Sequence, residues 1–194
     1  MLDWHAAFGI IAGIIQVSAV VPYVRDMLHG TTRPNIVSWA LWTLVQLIVI
    51  AAVLSVGTSW SVIILFAMTF NTGLITILGL LGYGYKQYSW VDWSCLALAI
   101  LAIVLWQITN QPLFALVLLI FADIVIAIPT VAKTYRDPFS ETSSSWLLIA
   151  IAAALSVISA KEFIASNIIF QAYLVVINLF ICLLAFFGQR LKRA

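Results

Sequence analysis

Acidic and amide side chains set inside long apolar runs are where this sequence could do chemistry. Asp123 is the only acidic residue deep inside such a run. Holding a carboxylate at the centre of a bilayer costs about 2.5–3.5 kcal/mol, so a residue of this kind faces the interior of a bundle or a polar cavity. A carboxyl that gains and loses a proton there would suit a proton-coupled step. The plainer reading is a protonated carboxyl that bonds a neighbouring helix. Gln16 stands six residues before Pro22, as Asp123 stands six before Pro129, so the two polar positions correspond.

Asn71 and Asn178 also fall in the middle of apolar runs. Each amide carries two donor hydrogens and an acceptor oxygen, enough to hold a polyol, an amide or a carboxylate. The alternative is interhelical glue, worth about 0.6 kcal/mol per bond in membranes. Gln46, Gln107 and Gln171 are further amides of this kind with weaker claims. Pro22 and Pro129 each remove a helix hydrogen bond and crowd the preceding turn, so each marks a hinge or a static kink. Ser38-Trp39 and Ser145-Trp146 open apolar runs and could line the mouth of a pathway. The other Trp residues lie near run ends, where an interfacial aromatic belt explains them. Asp26, Asp137 and Glu141 could pair with Arg33, Arg136 or Lys133 as a latch; solvated surface charge is the simpler reading. Asn35, and Ser143 or Ser144, suit helix N-caps.

The elements that must position these residues follow from composition. Of 194 residues, 64% are hydrophobic and 8% charged, and mean hydropathy is +1.15. A soluble domain carries about 25% charged residues. A chain so apolar is expected to be an integral membrane protein with the lipid bilayer as its surroundings. The net charge of +2 gives no reason to expect a nucleic-acid partner. Cys95 and Cys182 sit in apolar runs without metal-type spacing and read as small core residues. No cofactor and no metal site is expected. The first run lacks the basic segment of a cleaved signal peptide, carrying Asp3 and His5 there instead.

About 20 apolar residues cross the hydrocarbon as a helix. On that measure the runs are 7–24, 36–55, 60–82, 93–108, 113–132, 144–160 and 163–187. The fold class expected is therefore all-α, with seven transmembrane helices. Backbone groups in lipid need internal partners, and the runs do not alternate as barrel strands would. With seven crossings, eight of the nine basic residues fall on one face and Lys161 alone on the other. By the positive-inside rule the N-terminus lies outside and the C-terminus in the cytoplasm, most simply in a plasma (inner) membrane.

A faint internal repeat appears at an offset of 107 residues. Pro22 meets Pro129, Ser38 meets Ser145, Trp39 meets Trp146 and Asn71 meets Asn178; Val24/Val131 and Ser59/Ser166 also coincide. Three-helix repeats point the same way only when an odd number of crossings separates them. The plan is thus 1–88 as one three-helix repeat, 89–111 as a linker helix and 112–194 as the second repeat with a short basic tail, which is the parallel-repeat arrangement of some transporters.

On these residues the chain resembles the PQ-loop and SWEET superfamily of small-solute transporters. The matching features are Val21-Pro22-Tyr23 and Ile128-Pro129-Thr130, Ser38-Trp39 and Ser145-Trp146, and Asn71 and Asn178. Tyr23 and Thr130 replace the Gln that follows Pro in that family, and no Trp stands at the depth of the SWEET sugar-stacking aromatic. The plan also resembles bacterial vitamin-precursor transporters for nicotinamide riboside, with Trp39, Trp42 and Gln46 spaced for one helical face. The resemblance implies a carrier or facilitator of a small polar solute (sugar, amino acid or vitamin precursor) working by alternating access, with protons as a coupling partner through Asp123. The competing class is a non-transporting sensor, receptor or assembly protein. Two repeats in one chain can complete a pathway alone, and a homodimer is compatible with that. An enzyme is not expected: His-Glu-x-x-His, Gly-x-Ser-x-Gly, a phosphate-cradling loop and paired intramembrane carboxylates are all missing. Residues 163–187 hold no Lys for a retinal Schiff base.

Overall fold

The structure is a computed structural model that describes residues 3–56, 61–108, 112–160 and 165–192. Among these the chain is helical, with no strand. The first helical rod is α1 (Trp4–Ser18) continued by α2 (Val20–Leu28). Then come α3 (Ile36–Val56), α4 (Ser61–Leu78) ending in a π-turn at Gly79–Tyr83, α5 (Trp90–Ile108) and α6 (Pro112–Arg136). A short 3-10 turn at Pro138–Ser140 leads to α7 (Ser143–Ile158) and α8 (Ala165–Leu191). With α1 and α2 taken as one rod, seven long helices are described. Residues 57–60, 109–111 and 161–164, with Trp60 and Lys161, lie outside the described residues, as do the side chains of Trp106 and Gln107.

Among the described residues, four helices are long and apolar enough to cross a membrane: Trp4–Leu28, Phe66–Tyr83, Val117–Arg136 and Ile168–Leu191. Ile36–Ile48 in α3 and Trp90–Leu101 in α5 are apolar too, and α7, Ser143–Ile158, is a shorter apolar helix. At 1.5 Å per residue, the 16 residues of α7 reach only ~24 Å of a hydrocarbon layer ~30 Å thick. The surface is nonetheless that of a protein that fits a bilayer. Ile14, Val21, Leu80, Leu81 and Val176 are among the most exposed side chains, while Lys133 and Glu141 are buried.

Contacts between helices cross from one half of the chain to the other. The first rod packs on α7 as well as on α4, and α6 packs on α3 as well as on α8. The second and third helices of each half pair closely, α3 with α4 and α7 with α8, and α5 lies along α6. Small residues allow this. Ala150, Ala152 and Ala153 line the buried side of α7, and a Cβ built at Gly9 would lie 3.9 Å from Ser159. Side chains this short let helix backbones approach without apolar bulk between them.

At one end all the basic connections meet. Arg33 N–H donates to the Ser140 carbonyl (3.0 Å) and Tyr85 N–H to the Pro34 carbonyl (2.8 Å). Gln189 Nε2 donates to the carbonyls of Pro138 and Glu141, and Lys192 Nζ to that of Arg136. The segments carrying Arg25, Arg33, Lys86, Lys133, Arg136, Arg190 and Lys192 are thereby gathered on one side of the bundle.

Helix starts at this end are capped by polar side chains. The Asn35 carbonyl oxygen accepts from the N–H groups of Val37 and Ser38, filling the N-cap role its position suggested. Asp92 caps the start of α5 by accepting the Ser89 N–H and hydroxyl, the acidic half of a capping box, while the Ser89 main-chain carbonyl accepts the Asp92 N–H. Asn35 Nδ2 also donates to Asp92 (2.7 Å), tying α5 to the start of α3. The suggested caps at Ser143 or Ser144 are corrected. The cap position is Thr142, and its side chain makes no capping bond because its hydroxyl is engaged with Thr32 and Asp26 instead.

Candidate functional site

The deepest polar–aromatic cluster stands where the two halves of the chain meet. Trp39 and Trp146, matched by the 107-residue offset, pack against each other with ring centroids 5.7 Å apart. Tyr23 lies 5.0 Å from Trp39 and 6.4 Å from Trp146. Trp42 meets both indoles edge-on, at 5.3 and 6.0 Å. Trp39 and Trp146 are buried, so the belt reading does not apply to them. Trp4, Trp90 and Trp93 are exposed near helix ends, as a belt requires.

Beneath this cluster, toward the basic end, sits Glu141. Its carboxylate is enclosed and takes three donors: Tyr23 OH (2.7 Å), Trp146 Nε1 (2.9 Å) and Lys133 Nζ. Lys133 also donates to the carbonyls of Arg33 (2.5 Å) and Ser140 (3.2 Å), which uses all three ammonium hydrogens. Both side chains of this pair are essentially shut off from solvent, at 1% and 0% exposure. The solvated-charge reading is therefore overturned for Lys133 and Glu141, while Arg136 and Asp137 remain exposed. Thr32 and Thr142 share a 2.6 Å hydroxyl bond, and Thr142 donates to Asp26. The two corresponding loops are thus joined directly, and the bundle is closed at this end.

Above the aromatic cluster lies a band of polar groups. Asp123 accepts from Tyr173 OH (2.7 Å). Asn71 Nδ2 donates to the Gln16 carbonyl (2.6 Å), bridging α4 to α1. Gln46 accepts from Thr72 (3.0 Å), bridging α3 to α4. Asn178 donates to Leu174 O in its own helix. At the helical rise, Asp123 and Asn178 each stand ~20 Å from the basic end of their helices, in the middle of a bilayer-sized layer.

The expected site residues therefore separate. Trp39, Trp146, Asp123, Asn71, Gln16 and Gln46 all face packed helix interfaces. Asn71 and Asn178 are both buried but play different parts, one crossing between helices and one bonding its own turn. Ser38 Oγ donates to Ile126 O (2.6 Å), locking α3 to α6, whereas the buried Ser145 hydroxyl has no partner. Pro22 lies just past the interruption of the first rod at Ala19, while Pro129 sits inside an unbroken α6. Several buried polar atoms are left without a partner, among them Asn71 Oδ1, Trp39 Nε1 and Gln171 Oε1.

No protein-family model, curated protein or solved structure matches this chain. The site is accordingly read from its own geometry.

Cavities among the described residues include two with distinct character. One is polar and small, about 50 Å³, at the basic end between the start of α5 and the end of α6, with Asn35, Asp92, Pro129 and Lys133 in its wall. The other is an apolar furrow between α6 and α8. Neither is lined by Asn71, Asn178 or Asp123.

Lys133, Glu141, Tyr23 and Tyr173 are the residues that reasoning from sequence undervalued. A signal existed for the first two, since a latch between these loops was one of the readings. Tyr173 lay on α8 with nothing to tie it to Asp123 across fifty positions of sequence.

Proposed function

We propose that this chain is a membrane carrier or facilitator of a small polar solute, built on seven crossings as two parallel three-helix repeats about the linker α5. The basic end is cytoplasmic by the positive-inside rule. The observation that carries the reading is the unpartnered Asn71 Oδ1, buried at mid-depth beside the Asn71–Gln16 bridge. A buried acceptor without a donor costs about 1–3 kcal/mol, and a group kept at that cost calls for an explanation. A solute hydroxyl or amide reaching Asn71 supplies the missing donor. The reciprocal packing of the first rod on α7 and of α6 on α3 supports a pseudo-twofold axis through the Trp39–Trp146 contact. In this reading the Glu141 cluster seals the cytoplasmic side, Pro22 and Pro129 are its hinges, and Asp123 is the proton-coupling group. A sugar, an amino acid or a vitamin precursor fits the donor and acceptor set.

One observation favours the competing class of sensor or assembly protein: Tyr23, Trp39, Trp42 and Trp146 pack tightly on one another where the two halves meet. A screen decides between them. Purified protein is melted in the presence of sugars, amino acids and nucleosides, and any stabilising compound is tested for uptake into reconstituted vesicles. A stabilising solute that is also transported, with binding lost in an Asn71→Ala, Asn178→Ala double variant, is the expected result. Unchanged affinity in that variant would make the amides glue. A ligand that binds without uptake would favour the sensor.

A further inference from the structure

On the lipid-facing side of the bundle a furrow of about 400 Å³ runs between α6 and α8. Its walls are apolar, formed by Ile124, Ile128 and Val131 on one side and Ile177, Phe180 and Leu184 on the other. Ala127 and Ala132 lie along its floor, and their short side chains are what make it concave. On α6 the lining extends from Ile124 to Tyr135, ~17 Å at the helical rise. That is about half of a ~30 Å hydrocarbon layer, so the furrow spans one leaflet, the one at the basic end.

The furrow ends at cations. Arg136 follows Ala132 by one helical turn on the same row, and it is exposed. Lys192 is held beside it by the bond from its Nζ to the Arg136 carbonyl, at 2.7 Å. This places an ammonium at the C-terminus of α6, where the helix dipole favours it. Tyr135, 75% exposed, stands at the mouth as interfacial Tyr residues do. Ala132 lines both the furrow and the small polar cavity to which Arg136 contributes. An apolar slot one leaflet deep thus ends about one helical turn from two positive charges.

We propose that this furrow is a binding site for one anionic phospholipid, with an acyl chain in the slot and the phosphate at Arg136 and Lys192. Basic pockets on helix ends attract anionic headgroups. A zwitterionic lipid fills the slot equally well but gives the two cations no net negative partner. A second copy of this chain is the rival occupant, and charge disfavours it, since a twofold contact along this furrow would set the Arg136–Lys192 pairs of both copies near the same seam. The inference requires that α6 and α8 cross a bilayer. It does not require transport, so a failed uptake experiment leaves it standing.

Native mass spectrometry of the purified full chain tests it, with equimolar phosphatidylglycerol and phosphatidylcholine of identical acyl chains. The wild-type chain is expected to retain one phosphatidylglycerol with a preference of about tenfold. Arg136→Gln with Lys192→Gln should bring the ratio near one while a lipid is still retained. Ile128→Trp, which fills the slot from an exposed position, should lower retention of both lipids severalfold, whereas Leu80→Trp, exposed elsewhere on the surface, should not. A ratio near one in the wild-type chain overturns the proposal whatever the variants do. So does an undiminished preference in the charge variant, wild-type retention in Ile128→Trp, or a dimer mass that Ile128→Trp dissolves.

Discussion

Glu141 shows how much one side chain can hold. Its carboxylate receives a phenol from the first rod, an indole from α7 and an ammonium from α6. Desolvating the Lys133–Glu141 pair is costly, so the pair adds little over an apolar substitute, whereas removing one partner costs about 3–5 kcal/mol. Glu141→Gln should therefore lower the melting temperature in detergent sharply, because Lys133 is left charged and enclosed and the new amide NH2 opposes either Lys133 or both the Tyr23 and Trp146 donors, which share one oxygen. Lys133→Met combined with Glu141→Leu removes the unpaired charge but leaves the Tyr23 and Trp146 donors without an acceptor, so it should recover only part of the loss. An unchanged melting temperature in Glu141→Gln would show that the pair is not formed. Asp123 calls for a different measurement. Asp123→Asn keeps an acceptor for Tyr173 but removes the titratable proton. If Asp123 couples transport to protons, the variant's uptake in vesicles should no longer respond to a pH gradient while solute binding persists; a preserved response assigns coupling elsewhere. The two residues also differ in how visible they were. A carboxylate inside an apolar run is conspicuous in a sequence. A carboxylate in a loop rich in Ser, Thr and Asp looks like solvated surface, and only the approach of Tyr23 from far along the chain reveals that it is enclosed.

At the scale of helices, run lengths and polar breaks located the rods to within a few residues, because a bilayer-sized apolar stretch has few alternatives to helix. What they could not supply was how helix ends lock to one another. Gly188 is an example. A Cβ built there would stand 2.5 and 2.8 Å from the ring carbons of Pro138, and a proline ring cannot swing aside. Next to it, Gln189 bonds the carbonyls of Pro138 and Glu141, so α8 grips the loop that carries the buried carboxylate. Gly188→Ala should displace that loop and destabilise the protein by about 1–3 kcal/mol, the range for overpacking. Pro138→Ala in the same chain should relieve much of it, and thermal melts of the two single variants and the double measure the coupling. Additive losses would mean the contact is not made. Nothing in the sequence around Gly188 marks this, since the clash depends on a turn fifty residues away. The prolines give the opposite lesson. Pro22 and Pro129 occupy corresponding places, yet the first rod is interrupted before one and α6 runs unbroken through the other, so equal local chemistry gave unequal local structure once different neighbours packed against it.

For the molecule as a whole, the charge asymmetry and the packing point the same way. The basic segments were grouped on one face by counting crossings, and in the structure those that are described touch through backbone bonds at one end. Among the described residues, four helices carry enough length and hydropathy to cross unaided. Of the others, α7 is held between the first rod and α8, α3 lies between α4 and α6, and α5 lies along α6. Seven crossings would put His29 and Gln87 on the same side of the membrane and Asp3 on the other. An even number would put Asp3 and the basic tail together, so labelling separates the plans. In a chain with Cys95 and Cys182, both buried and unpaired, replaced by Ser, the variants His29→Cys, Gln87→Cys and Asp3→Cys can be exposed to an impermeant thiol reagent in intact cells. Asp3→Cys should react, while His29→Cys and Gln87→Cys should react only after the membrane is opened. Labelling of all three from outside, or of His29→Cys and Gln87→Cys from opposite sides, would overturn the seven-crossing plan and with it the pseudo-twofold pairing of Trp39 with Trp146, because parallel repeats exist only if α5 crosses between them.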